Sequence, residues 1–246
     1  MNCMVCNNST KQIKIDTYEC SSCGHIFRDF QGDSIKFHKN TYRNKSHKKW
    51  KKDQNEFNED GSVNQKFHDA RKDIVSSRIN KILHILSDRS SIFDIGSGAG
   101  TMAMHMKAFT SDIECLEIAD TLVNESRRLG FKTHQVDFLK FSPNKKFDLV
   151  TCYHVLEHVK DLNAFLDNLD KISSKYVVFE VPTVKCSFGT TPKKRQWDPP
   201  NNGQYDGHYH YFTIKSISYL FAGRYQTVSI ESGTQAPAIL FIGKKV

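Results

Sequence analysis

Phe93-Asp94-Ile95-Gly96-Ser97-Gly98-Ala99-Gly100 is the stretch on which the fold turns. An apolar run, Ser91 to Phe93, leads into it, and a helix-compatible run, Met102 to Phe109, follows. Three glycines at alternate positions permit a tight strand-to-helix turn whose backbone can approach a ligand closely, because no Cβ intervenes. The helix beyond would aim its first N–H groups at that ligand. A dinucleotide site and a plain βα turn could both produce such a stretch. The rest of the chain has to decide between them.

Working outward, the chain alternates. Upstream, Phe67, Ala70, Ile74, Ile79, Ile82, Leu83, Ile85 and Leu86 repeat at helical spacing, and that helix is expected to end near Ser87-Asp88. Downstream, strands are expected at 113–118, 132–136, 147–152 and 176–181, with helices at 121–129, 161–172 and 214–221. The runs 227–230 and 238–242 read as two more strands, joined by a loop too short for a crossover helix, so they pair antiparallel. Alternating β and α units imply a parallel sheet with helices on both faces. The expected class is α/β: a doubly wound, seven-stranded, mostly parallel sheet with the last strand antiparallel, preceded by a small zinc-ribbon module.

That module rests on Cys3-Met4-Val5-Cys6 and Cys20-Ser21-Ser22-Cys23, two Cys-x-x-Cys pairs with 13 residues between them. Each pair offers two thiolates from one turn, and two such knuckles close a tetrahedral zinc site. Cys3, Cys6, Cys20 and Cys23 are therefore the expected metal ligands, and with all four positions filled the zinc is structural. Redox dithiols are the alternative, but no thioredoxin-like βαβ pattern surrounds the cysteines. His25 is not needed as a ligand.

The 246-residue chain carries a formal charge of +8 that is unevenly spread. Eight Lys or Arg and no acid lie between Lys36 and Lys52, a segment that suits nucleic acid, an anionic small molecule or simply a solvated loop. The expected divisions are a ribbon at 1–30, a basic linker or cap at 31–62 and the main domain at 63–246. No apolar run approaches the roughly 18 residues that span a membrane, and the first residues lack the pattern of a signal peptide. A cytoplasmic protein with no membrane partner is expected.

In a doubly wound sheet, ligands sit beyond the carboxyl ends of the strands. The residues there suit a nucleoside. Asp94, Gly96, Ser97, Gly98 and Gly100 follow the first strand. Glu117, with Ile118, closes the second, where a carboxylate would accept hydrogen bonds from a ribose diol. Asp137 and Phe138 close the third, offering a carboxylate for an exocyclic amine and a ring for stacking. The fourth ends at Cys152-Tyr153-His154.

With these residues in view, the chain resembles the class I S-adenosylmethionine-dependent methyltransferases from about residue 65 onward. Asp94 to Gly100 matches the family's first motif, Glu117 its ribose acid and Asp137 its adenine-side acid. Tyr153-His154-Val155-Leu156-Glu157-His158-Val159 is similar to the segment after the fourth strand in a small-molecule branch of the family. The resemblance implies S-adenosylmethionine as cofactor, with the glycine turn under its methionine portion. It also marks Gly207-His208-Tyr209-His210-Tyr211-Phe212-Thr213 as a region that supplies substrate residues.

A hydroxyl acceptor needs a base, and histidine suits that task. The candidates are His154, His158, His208 and His210, with His208 the first choice; His158, with Glu157, commonly fixes the loop over the cofactor in this family. Related sugar C-methyltransferases carry a Glu-His pair before this helix, and Gly207 stands here in place of that Glu. Residues 183–205, with Lys193-Lys194-Arg195, read as a substrate lid. The expected activity is O-methylation of a small anionic metabolite such as a nucleotide-linked sugar. The alternatives are an RNA methyltransferase that uses the ribbon and basic segment, and an inactive methyltransferase-like binding protein.

Overall fold

The computed structural model describes residues 1–31, 33, 35–36, 64–86, 90–183, 207–234 and 238–246. The first half contains β1 (Thr10–Lys14), β2 (Thr17–Cys20), β3 (Ile26–Arg28), α1 (Gln65–Ile82), β4 (Ile92–Ile95), α2 (Thr101–Met106) and β5 (Ile113–Leu116). There follow α3 (Asp120–Arg128), β6 (Lys132–His134), β7 (Phe147–Tyr153), α4 (Leu162–Ile172) and β8 (Ser173–Pro182). The chain ends with β9 (His210–Tyr211), α5 (Ile214–Phe221), β10 (Tyr225–Ser232) and β11 (Ala238–Lys245).

Seven strands form one sheet in the order β10-β11-β8-β7-β4-β5-β6. Only β11 runs against the others, being antiparallel to both β8 and β10. Successive strand residues point to opposite faces, so each strand feeds two cores. Phe93, Ile95, Val150, Cys152, Val177, Phe179 and Phe241 pack with α4 and α5 on one face. Ile92, Leu149, Val178, Leu240 and Ile242 pack on the other with Val75, Ile79 and Ile82 of α1 and Met102, Ala103 and Met106 of α2. Both faces are covered, which is why the strands read as continuous apolar runs.

The expected α/β order holds, with shifted ends. The helix after the glycines stops at Met106 rather than Phe109. Strand β8 begins at Ser173, directly after α4, although its first residues, Ser-Ser-Lys, carry no apolar signal. Among the described residues no helix is long and apolar enough to cross a membrane. Residues 32, 34 and 37–62 of the expected linker and 184–205 of the expected lid, with Lys193-Lys194-Arg195, lie outside the described residues.

A second sheet joins the two ends of the chain. The hairpin β1–β2 continues into β3, and β3 pairs antiparallel with β9, through Ile26 with Tyr211 and Phe27 with His210. The cysteine module is thus built onto the segment that precedes α5. Thr213 caps α5 by accepting a hydrogen bond from the Ser216 N–H at 3.1 Å, and its hydroxyl donates to the Cys23 carbonyl at 2.6 Å. Lys215 Nζ donates to the Ser22 carbonyl at 2.7 Å.

Thr213→Val removes the cap and the tie to Cys23 without changing the side chain's shape. We expect a loss of about 1–2 kcal/mol, read as a lower urea midpoint at unchanged slope.

Candidate active site

The three glycines of the turn are required for three different reasons. All have positive φ: +67° at Gly96, +58° at Gly98 and +85° at Gly100. A Cβ on Gly96 would lie 2.2 Å from Val155 Cγ2, so the loop after β7 packs hard against the turn. A Cβ on Gly100, which precedes α2, would press on Phe131 at 3.2 Å. A Cβ on Gly98 would meet nothing within 4 Å. The space above Gly98 is open.

The Gly98 N–H donates to Glu117 Oε2 at 3.0 Å, while Ile118 and Ala119 donate to Oε1 at 2.6 and 2.9 Å. Burial pushes the Glu117 carboxyl up, and these three N–H groups pull against it. The second strand end and the glycine turn are thereby one rigid unit. Asp94 and Thr151 are register partners on β4 and β7, and the Thr151 hydroxyl donates to Asp94 at 2.7 Å. Burial lifts the Asp94 carboxyl to about 7 despite that bond and the nearby Arg78 charge.

A cavity of about 590 Å³ lies over these strand ends. Asp94, Gly96, Ser97, Gly98, Glu117, Ile118, Asp137, Phe138 and Tyr153 all line it. Asp137 accepts from the Leu139 N–H at 3.0 Å, which starts a short 3-10 turn and sets Phe138 against Phe165, ring centroids 4.7 Å apart. The Tyr153 ring lies under the Arg78 guanidinium at 4.3 Å, and its buried hydroxyl has no hydrogen-bond partner among the described residues. Two of the expected residues sit behind the wall. Gly100 serves helix packing, and Cys152 faces the α4–α5 core because it alternates with Tyr153 along β7.

The acceptor-side histidines part company. His158 lines the cavity and stacks on His208, ring centroids 4.7 Å apart. His158 Nδ1 lies 2.6 Å from the Gly207 carbonyl oxygen, so that nitrogen carries the proton and donates. Glu157, 1% exposed, lies beside this pair, its Oε1 3.8 Å from His158 Nε2 and 3.6 Å from His154 Nδ1. Burial would raise the Glu157 carboxyl, but His158, His154 and His208 outweigh it and hold it at about 2. His210, also expected at the acceptor side, is instead buried in the second sheet. It stacks on His25 at 5.2 Å and lies tilted against Phe212 at 5.8 Å. His210 lies in β9, and pairing with Phe27 of β3 turns it to the ribbon, whereas His208 lies before that strand.

His154 adopts the left-handed backbone, φ +57°, directly after β7. This turn places its ring between two carboxylates, Nε2 lying 3.0 Å from Glu180 Oε1. Arg78 of α1 also reaches Glu180 at 2.6 Å, and the Thr234 N–H donates to it at 2.7 Å. Burial alone would lower the His154 pKa, yet Glu157 and Glu180 together raise it to about 9. The Arg78–Glu180–His154 chain was not singled out in the sequence. Its members lie far apart along the chain, and only Glu180, an acid inside an apolar strand, signals it.

At the opposite end of the chain, the four sulfurs converge. Cys3 and Cys23 are 3.7 Å apart, and Cys6 lies 3.5 Å from both Cys20 and Cys23. Asn8 Nδ2 donates to Cys6 Sγ at 3.4 Å, and His25 Nδ1 lies 3.7 Å from Cys3 Sγ.

His154→Asn tolerates the left-handed backbone but removes the charge. A pKa raised from 6.5 to about 9 contributes stability that is complete below pH 6.5 and disappears as pH rises through 9. The melting-temperature gap between wild type and variant should be several degrees at pH 6 and close by about pH 10, since 1 kcal/mol corresponds to about 2–4 °C at this size.

Residues 67–224 match a family model described as a methyltransferase domain, which covers well over half of the chain. The ubiquinone biosynthesis O-methyltransferase of Xanthomonas oryzae pv. oryzae is 29% identical over 105 residues, 39% of this chain and 41% of that protein. The chain thus spans about two-fifths of the length of the curated relatives it matches. Magnesium protoporphyrin IX methyltransferase from Synechocystis PCC 6803, solved with bound S-adenosylmethionine, shares the fold with a TM-score of 0.59 at 11% identity. That likeness covers 89% of this chain and all of the other. An S-adenosylmethionine-dependent methyltransferase from Clostridium acetobutylicum ATCC 824 gives 0.51 at 12% identity, covering 71% and 91% of the two chains. With the glycine turn, the strand-end acids and the antiparallel last strand all in place, the chain belongs to the class I S-adenosylmethionine-dependent methyltransferase family.

Proposed function

We propose that this protein transfers a methyl group from S-adenosylmethionine to a hydroxyl oxygen of a small anionic molecule. The observation that carries the reading is that one cavity is lined both by the glycine turn with Glu117 and by His154 and His158. In this reading cofactor and acceptor meet in that one cavity, with His208 reached through the His158 ring stacked on it.

Several features fit the cofactor. The open space above Gly98 is a cradle that any side chain would fill. Glu117 is preset to receive two ribose hydroxyls, with Ile118 beside it. Asp137 and Phe138 suit the adenine amine and ring, and Asp94 with the Tyr153 hydroxyl suits the amino acid portion. Bound there, S-adenosylmethionine supplies an electrophilic methyl on a sulfonium sulfur. The chain's own contribution is mostly alignment, because displacement at a methyl carbon requires the nucleophile opposite the leaving sulfur.

In this reading His208 takes the proton of the acceptor hydroxyl, and the stack on His158 holds its ring. His158 is itself fixed by its bond to the Gly207 carbonyl. Arg71 and Lys160, both on the cavity wall, support an anionic acceptor. The O-methyltransferase relative favours oxygen as the acceptor atom.

The four cysteines hold a structural zinc in this reading. Tetrahedral zinc with Zn–S bonds near 2.3 Å separates its sulfurs by about 3.8 Å. The three spacings of 3.5–3.7 Å support that geometry. The divisions proposed for the chain remain a ribbon at 1–30, a linker at 31–62 and the catalytic domain at 63–246.

Labelled S-adenosylmethionine offered with nucleotide sugars, phosphorylated metabolites and RNA tests this reading. Label should enter a small hydroxyl acceptor, and His208→Ala should lower kcat by about 100-fold or more while leaving cofactor affinity within about twofold. Label entering RNA alone, or an unimpaired variant, would contradict it.

A further inference from the structure

The cluster on the acceptor side has a composition that base catalysis alone does not require. Glu157, His158 and His208 bring one carboxylate oxygen and two imidazole nitrogens within 4.8 Å of one another. We propose that these three residues bind one divalent first-row transition-metal ion beside the cavity, which His158 lines, at a site separate from the four cysteines.

The donor set is one carboxylate and two imidazoles, which suits manganese, iron, cobalt or zinc and leaves coordination positions open. Glu157 is 1% exposed. Its Oε2 makes no hydrogen bond among the described residues, while Oε1 is shared at long range by His154 and His158. A buried carboxylate oxygen without a donor is costly, and a cation relieves that cost.

The orientation of His158 points the same way. With Nδ1 donating to the Gly207 carbonyl, Nε2 keeps its lone pair, and Nε2 is the nitrogen that lies 3.8 Å from Glu157. Metal-ligating histidines are typically held in this manner, by a carbonyl or carboxylate on the other ring nitrogen.

Backbone hydrogen bonds tie the segments that carry the cluster, leaving the side chains to adjust. The Tyr209 N–H donates to the Glu157 carbonyl at 2.8 Å, and the Arg28 N–H donates to the Tyr209 carbonyl at 2.9 Å. The ribbon therefore holds the backbone beside His208 against the backbone of Glu157. Ligand atoms of a tetrahedral site with bonds near 2.05 Å are about 3.4 Å apart. Closure asks for shifts of about an ångström and opens the two stacked rings. His154, the other cation beside Glu157, stays paired through Glu180.

For catalysis, the inference rests on the hydroxyl-acceptor reading above and gives His208 a different part in it. Held by Glu157, His158 and His208, the ion would act as a Lewis acid on the acceptor hydroxyl, so that its O–H bond breaks and the proton leaves to water. That oxygen then bonds to the methyl carbon as the carbon–sulfur pair returns to sulfur. His208 is then a ligand rather than the proton's destination.

The test uses the full chain, with its cysteine-bound metal measured by elemental analysis after treatment with a chelator. Mn²⁺ is titrated and its free six-line paramagnetic resonance signal followed. One Mn²⁺ should bind per chain, and both His208→Ala and Glu157→Gln should weaken it by roughly 10–100-fold. Cofactor affinity in the same variants reports that they are folded. Failure to take up Mn²⁺, or Co²⁺ or Zn²⁺ beyond the cysteine-bound ion, would overturn the site, as would unchanged affinity in both variants.

Methyl transfer by the chelated chain separates this inference from the reading beneath it. Recovery of transfer on adding Mn²⁺ supports the ion. Full transfer without added ion overturns the inference and leaves His208 as the base. Mn²⁺ uptake with no hydroxyl acceptor methylated keeps the site and removes the functional reading.

Discussion

The pairing of β3 with β9 is the constraint on which the acceptor side depends. Two residues, His210 and Tyr211, complete a sheet whose other three strands come from the first 28 residues of the chain. A two-residue strand cannot hold itself in place. Here it is fixed by Ile26 and Phe27 on one side and followed at once by the Thr213 cap, which is bonded to Cys23. The backbone just before it carries Gly207 and His208 and is bonded to Glu157 and His158. Order in the cysteine knuckles is thereby transmitted to the histidine cluster through backbone hydrogen bonds. The ribbon is a brace for the active site.

Electrostatics explains how so many buried ionisable groups coexist. Glu157 and Glu180 are both almost fully buried, which isolated carboxylates do not tolerate. His154 lies between them as a shared cation, and Arg78 closes the chain on the far side. The left-handed backbone of His154 is a local cost accepted for that bridge. Arg78 also covers Tyr153, so α1 contributes one side chain that shapes the cavity floor and balances its charge.

That the residues proposed for the cofactor would meet at one cavity was legible because their signals are local. Alternate glycines, an acid at a strand end and an acid opening a short turn each lie within a few residues of their own strand. The parallel order then brings those strand ends together. The acceptor half depends on pairings between distant segments. The match of Phe27 with His210 spans 183 residues and involves a strand too short to show periodicity. His208 and His210 look equivalent in sequence, but only His210 lies in β9, where pairing with β3 turns it to the ribbon, while His208 precedes the bend at Tyr209 and faces His158. Gly100 and Cys152 were expected at the cofactor and instead serve packing, since a motif identifies a turn without saying which of its residues face the ligand. The Cys-x-x-Cys pairs were legible for the same reason as the glycines, although their attachment to α5 was not.

The Gly98 N–H bond to Glu117 joins the glycine turn and the second strand end into one unit, which we propose seats the cofactor. Calorimetric titration of S-adenosylmethionine into the wild-type chain and Glu117→Ala tests it most directly. The account predicts one saturable site per chain in the wild type, and affinity lowered about tenfold or more in the variant, as expected for lost hydrogen bonds to a charged group. No saturable binding to the wild type, or equal affinity in the two proteins, would contradict it.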